Sequence, residues 1–143
     1  IGDGPEFSHI QAIANSNIQL MGFQPFEVLK DRMQKAKAFI FAAEEDFGIT
    51  PVEAQACGTP VIAYGKGGVL ETVQNGEQAT GVLFEEQTTE AIIEAVKEFE
   101  DNKASFDYYR CRLNAEKFSV ENFKKQFSQY CQEKWTQFAL DLQ

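Results

Sequence analysis

Short apolar runs alternate along this chain with longer stretches in which apolar residues recur every three or four positions. The short runs are Ile18-Gln19-Leu20-Met21, residues 38–43, Pro60-Val61-Ile62-Ala63-Tyr64 and Gly81-Val82-Leu83-Phe84, and each predicts a strand. Residues 38–43 (AFIFAA) are apolar without interruption, which predicts a strand covered on both faces. Between these runs the period changes. A helix is expected over residues 5–15, and another over 25–37 with Phe26, Leu29 and Met33 on one face. A third is expected over 51–57, closed by Gly58 as a left-handed cap, and a short one around 69–75. Ile92, Ala95, Val96 and Phe99 follow the spacing of a helix with one buried face. Val120, Phe123, Phe127, Cys131, Trp135 and Phe138 make residues 120–143 a long amphipathic helix, expected to pack on the body of the domain.

Strands that alternate with helices predict a parallel sheet with helices on both faces, a Rossmann-like three-layer, doubly wound α/β fold. In such folds ligands lie beyond the carboxyl ends of the strands, where loops lead into helix N-termini. The length of 143 residues suits one domain, and no linker rich in Pro, Gly or Ser marks a second. The opening, Ile1-Gly2-Asp3-Gly4-Pro5, reads as the last residue of a strand followed by a turn, so the domain is expected to be partial and to begin upstream.

Charge narrows the choice of partner. With 22 acidic and 13 basic residues the net charge is −9, which argues against a nucleic acid, because phosphate backbones need clustered Lys and Arg. A small anionic ligand remains compatible, since helix N–H groups hold one without net positive charge. No apolar run reaches the ~20 residues that cross a bilayer. Cys57, Cys111 and Cys131 are odd in number, widely spaced and outside any CxxC, which predicts free thiols and a cytoplasmic setting. His9 is the one histidine and has no motif around it, so neither a His-based zinc site nor a Ser–His–Asp triad is expected.

The candidate chemistry lies in two strand-to-helix loops. In the first, Glu44-Glu45-Asp46-Phe47-Gly48-Ile49-Thr50-Pro51-Val52-Glu53, the residues predict Thr50 as N-cap, Pro51 as first helical residue and Glu53 as partner in a Thr-x-x-Glu capping box. Free N–H groups at that helix start would receive a phosphate or a sugar hydroxyl, with Gly48 allowing close approach. A capping-box glutamate needs no ligand to explain it, and three adjacent carboxylates can equally form a solvated acidic turn. The second loop, Tyr64-Gly65-Lys66-Gly67-Gly68, has three glycines in four residues, which signals unusual backbone angles or close approach to a ligand; a flexible turn is the plainer alternative. Gly2-Asp3-Gly4-Pro5-Glu6-Phe7 lacks the third glycine of a dinucleotide fingerprint.

These segments together resemble the C-terminal domain of family 4 retaining glycosyltransferases, which have the GT-B architecture. The resemblance runs from Ile1 to about Phe118 and is densest over residues 39–73, FIFAAEEDFGITPVEAQACGTPVIAYGKGGVLETV. Glu45 and Glu53 stand in the family's E-x7-E relation, and the wording around them is most similar to GDP-mannose-dependent mannosyltransferases of polysaccharide and lipopolysaccharide assembly. The resemblance implies that Glu45 contacts the transferred sugar on its reacting face and that Glu53 bonds the ribose. It implies that backbone N–H groups of Phe47, Gly48 and Ile49, with Thr50, hold sugar and diphosphate, and that Gly67 and Gly68 line the pocket. A nucleotide-sugar donor is implied, with no metal or other cofactor, and the sequence holds no Asp-x-Asp. The glycan or lipid-linked acceptor would be held by an N-terminal domain outside this chain. Basic residues that clamp the diphosphate would also lie upstream, so the chain alone is expected to bind nucleotide weakly and to transfer nothing. The intact protein would be cytoplasmic, or peripheral at the inner face of the membrane. The alternatives are the same fold with a UDP-sugar donor, and a non-catalytic nucleotide-binding or interaction domain.

Overall fold

A computed structural model describes residues 1–141; the last two positions of the expected C-terminal helix, 142 and 143, lie outside the described residues. Among the described residues seven α-helices and three strands follow the chain, with 3-10 turns at Gly76–Gln78 and Lys103–Ser105: α1 (Phe7–Ile13), α2 (Phe26–Lys35), β1 (Phe39–Phe41), α3 (Ile49–Ala56), β2 (Val61–Tyr64), α4 (Val69–Thr72), β3 (Gly81–Phe84), α5 (Thr89–Asn102), α6 (Tyr108–Glu116) and α7 (Val120–Asp141). The three strands form one parallel sheet in the order β1-β2-β3. Phe39 pairs with Val61, and Val61 in turn with Gly81.

The central strand explains the layers. All four residues of β2 are buried, and successive side chains point to opposite faces. Ile62 and Tyr64, with Val82 and Phe84 of β3, pack against Ala95 and Phe99 of α5. Val61 and Ala63 pack the other way, against Ala54 of α3 and Val69 and Val73 around α4. This is the open parallel sheet with a helix layer on each face that the alternation predicted. The helix spacing of α5 holds: Ala95 and Phe99 are buried, Ile92 and Val96 half-buried, and Thr88 caps its start by accepting from the Ala91 N–H at 3.2 Å. Gly58 follows α3 with φ +85°, as expected of a left-handed cap.

Several expectations change. Ile18 to Met21 forms no strand; its neighbourhood is tied by the Gly2 N–H to the Gly22 carbonyl at 2.9 Å. A four-residue extended segment without a ladder partner has nothing to stabilise it. The run at 38–43 does form β1, but at the edge of the described sheet and not covered on both faces: Ile40 is 50% exposed. α1 spans Phe7–Ile13 and buries no residue, and α4 is a single turn, after which Val73 is extended.

The largest departure is α7. It was expected to pack on the domain, yet none of its residues is buried, and Phe123, Phe127, Trp135 and Phe138 are all exposed. Its apolar side chains pack along the helix itself, with Phe123 and Phe127 stacked at 5.6 Å. Periodicity fixed the helix and its stripe, but a stripe does not specify what covers it. No described helix is long and apolar enough to cross a membrane. The three cysteines are free, and burial, helped by Asp107, pushes the Cys111 thiol up to about 11, so it stays protonated and inert at neutral pH.

Candidate functional site

The carboxyl ends of β1 and β2 each release a loop, and the two loops are cross-linked. Glu45 forms an isolated parallel bridge with Gly67, and the Gly68 N–H donates to the Glu45 carbonyl at 2.8 Å. The loop glycines follow from this contact. A Cβ on Gly67, where φ is +68°, would overlap the Glu45 carbonyl oxygen. One on Gly68 would collide with the Phe47 Cα and carbonyl oxygen and lie 2.5 Å from the Asp46 carbonyl oxygen. Both were expected to line a ligand pocket. Gly67 is exposed at the loop surface, whereas Gly68 is buried beneath the acidic loop, so close backbone packing alone accounts for glycine there.

The start of α3 differs from the predicted capping box. Gly48 is the N-cap, in the left-handed conformation (φ 76°, ψ 76°), and makes no side-chain cap bond. Thr50 is therefore the second helical residue, Pro51 the third and Glu53 the fifth, and no capping box forms. A glycine able to take positive φ lets the helix begin earlier than a threonine cap would. Two consequences matter for chemistry. Pro51 has no N–H, so the open donors at this helix end are Gly48, Ile49 and Thr50. Among the described residues none of these three N–H groups is given a hydrogen-bond acceptor. Glu53, freed from capping, is exposed and has no hydrogen bond or ion pair among the described residues.

Glu44, Glu45 and Asp46 are likewise exposed and unpaired among the described residues. Lys66, on the facing loop, sits with its Nζ 5.4 Å from the centre of the Tyr64 ring. Tyr64, and more weakly the Glu44 carboxylate, hold its ammonium above the ordinary lysine range.

Two concavities flank Glu53. One of about 420 Å³ is lined by Phe47, Ile49, Val52 and Glu53 with Arg112 and Phe118; the other, about 290 Å³, by Phe26, Leu29, Met33, Glu53 and Arg112. Phe47, expected to offer its N–H to a ligand, also sets its ring edge-on to Phe118 at 5.6 Å. A third concavity, about 460 Å³, lies along α5 and is walled by Glu85, Glu86, Glu90, Glu94 and Glu98, the wrong sign for a diphosphate. The structure thus joins Glu45 to Gly67 and Gly68 through backbone, and sets Phe47, Ile49 and Glu53 on one concave surface. Arg112, the cation that shares both of Glu53's concavities, has no signal in the sequence: it is one arginine on a helix without a motif.

The chain is thus a Rossmann-like α/β domain with a glycine loop and a helix N-terminus at the strand ends, the place where folds of this class bind ligands. The chain belongs to the family described as glycosyl transferases group 1, which it matches over residues 1–118. Among its relatives, the lipopolysaccharide core biosynthesis mannosyltransferase LpsB of Rhizobium meliloti is 37% identical over 59 residues, covering 41% of this chain and 17% of that protein. The N-acetyl-alpha-D-glucosaminyl L-malate synthase of Bacillus anthracis is 36% identical over 90 residues, covering 59% of this chain and 23% of that protein. An Anabaena protein, HepE, solved in complex with UDP and glucose, superposes with a TM-score of 0.67 at 20% identity, over 87% of this chain and 34% of its own. The chain therefore spans no more than about a third of the length of these proteins.

Proposed function

We propose that this chain is the donor-binding half of a family 4 retaining glycosyltransferase of GT-B architecture, and that its donor is GDP-mannose. The observation that carries this reading is the α3 start: three unpaired N–H groups, at the buried Gly48 and at the more exposed Ile49 and Thr50, with an unpaired Glu53 one turn further on. The helix end meets the negative charge of a diphosphate and sugar hydroxyls. Glu53 accepts the ribose hydroxyls. Glu45, at the carboxyl end of the sheet beside Gly67, faces the transferred sugar. There its charge stabilises the oxocarbenium-like state as the bond from the anomeric carbon to the leaving phosphate oxygen breaks. The acceptor oxygen then bonds the same carbon on the same face and passes its proton to the departing phosphate oxygen, and nucleoside diphosphate leaves. No metal is assigned to this reaction; the sequence has no Asp-x-Asp to hold one beside the diphosphate.

Mannose rests on the similarity of residues 44–55 and 64–71 to GDP-mannose enzymes and on the relative named a mannosyltransferase. A UDP-sugar donor is the second reading, favoured by the structural neighbour solved with UDP and glucose. A non-catalytic binding domain fits less well, because carboxylates stand at both 45 and 53. The glycan or lipid-linked acceptor is assigned to a further domain, and the intact protein to the cytoplasm or the inner face of the membrane.

The test offers the intact protein GDP-mannose, UDP-glucose and UDP-N-acetylglucosamine, and reads the anomeric configuration of the product by NMR. The expected product is an α-mannoside from GDP-mannose. A β-linked mannoside would overturn retention, and transfer from a UDP-sugar alone would overturn the choice of donor.

A further inference from the structure

Two buried side-chain amides belong neither to the motif nor to the proposed chemistry. Gln55 on α3 is 0% exposed and Asn114 on α6 is 3% exposed. The Gln55 Nε2 donates to the Thr72 carbonyl at 2.9 Å and to the Pro51 carbonyl at 3.2 Å. The Asn114 Nδ2 donates to the Gln55 Oε1 and to the same Thr72 carbonyl, each at 2.8 Å, and the Asn114 Oδ1 accepts from the Lys117 Nζ at 2.9 Å. Every N–H of both amides is used, a satisfied network between buried side chains, where such bonds are strong and directional.

What this network grips is the end of α4. A single helical turn cannot sustain itself, and its last carbonyls have no partner within the helix. Two amides converge on the last of them, Thr72. The Thr72 hydroxyl and N–H both donate to the Gly68 carbonyl at 3.1 Å, and the Gly68 N–H donates to the Glu45 carbonyl at 2.8 Å. An unbroken path of hydrogen bonds therefore runs from α6 through Gln55 and Thr72 to the backbone of Glu45.

We propose that Gln55 and Asn114 are positioning residues: as an amide pair they set the glycine loop and, through the Gly68 N–H, the place of Glu45 against the donor sugar. The proposal rests on the role given to Glu45 above. A pair that served only cohesion would be replaceable by apolar side chains of the same volume, whereas a pair that aims a loop depends on the direction of its bonds.

The experiment uses the intact protein with Gln55→Met, which keeps the volume, and Asn114→Asp, which keeps the shape and the Lys117 contact but loses both N–H donors. Val82→Ala, in the core on the opposite face of the sheet, serves as a control for stability loss. The amide variants are expected to lower kcat about tenfold to a hundredfold. Their donor KM should stay within about threefold, since the diphosphate and ribose contacts remain. Hydrogen exchange should show the Gly68 amide losing protection while Ile62 keeps it. Val82→Ala should lower the melting temperature yet leave kcat and Gly68 protection as they are. Unchanged kcat and Gly68 protection in both amide variants would overturn the proposal, as would an equal loss of kcat in Val82→Ala. A wild-type protein that transfers no sugar would instead mark a failure of the functional reading, and Gly68 exchange, which needs no turnover, separates the two.

Discussion

Glu45→Gln in the intact enzyme is expected to cut sugar transfer about a hundredfold to a thousandfold, the cost of removing one preorganised charge from a developing transition state. Nucleotide affinity should meanwhile stay within about threefold, because the base, ribose and diphosphate contacts lie elsewhere. The substitution keeps size and shape and removes only the charge. Glu45 is exposed, and its backbone rather than its side chain holds the two loops together, so the fold has little reason to notice. Steady-state kinetics and a GDP titration on the same preparation check both halves of the expectation. Transfer at the wild-type rate would return Glu45 to the status of a solvated acidic turn.

Gly68→Ala is expected to destabilise the domain by about 3 kcal/mol, at the upper end of overpacking costs, because the intruding methyl meets three backbone atoms of the acidic loop at Asp46 and Phe47. Backbone cannot rotate aside as a side chain can. To accept the methyl, the acidic loop must lift away, breaking the bond from the Gly68 N–H to Glu45. Gly4→Ala makes the control: no atom lies within 4 Å of its added Cβ, so its effect should remain within about 0.5 kcal/mol. Urea unfolding of both variants gives the comparison. A Gly68→Ala midpoint equal to wild type would mean that the two loops are not in contact, and the arrangement described for Glu45 would fall with it.

The sequence made the central strands legible because four consecutive buried residues in β2 leave little choice of element, and α5 because its buried residues keep a clean helical period. It was less informative wherever the outcome depends on a neighbour. Residues 18–21 carry the right side chains for a strand and lack the partner that would make one. β1 has the apolar run of a central strand and sits at an edge, and α7 has an apolar stripe with nothing described upon it. At the site, the order of glycines and carboxylates singled out two loops that the structure brings into contact, but local pattern misassigned the cap. Thr50 and Glu53 satisfy a capping-box spacing, and only the left-handed conformation of Gly48 starts α3 early enough to release Glu53. Gln55 and Asn114 were invisible. Polar residues on helices normally face water, and their 59-residue separation hides a contact that folding alone creates.

The central claim is that the open helix start and Glu53 form a nucleotide site, and calorimetric titration of the intact protein with GDP, UDP and ADP, repeated with Glu53→Ala, tests it most directly. Saturable binding is expected, with GDP tightest. Removing the carboxylate is expected to weaken binding about tenfold to a hundredfold, the range for hydrogen bonds to a charged group. Absence of binding by all three nucleotides, or binding that Glu53→Ala leaves unchanged, would contradict it.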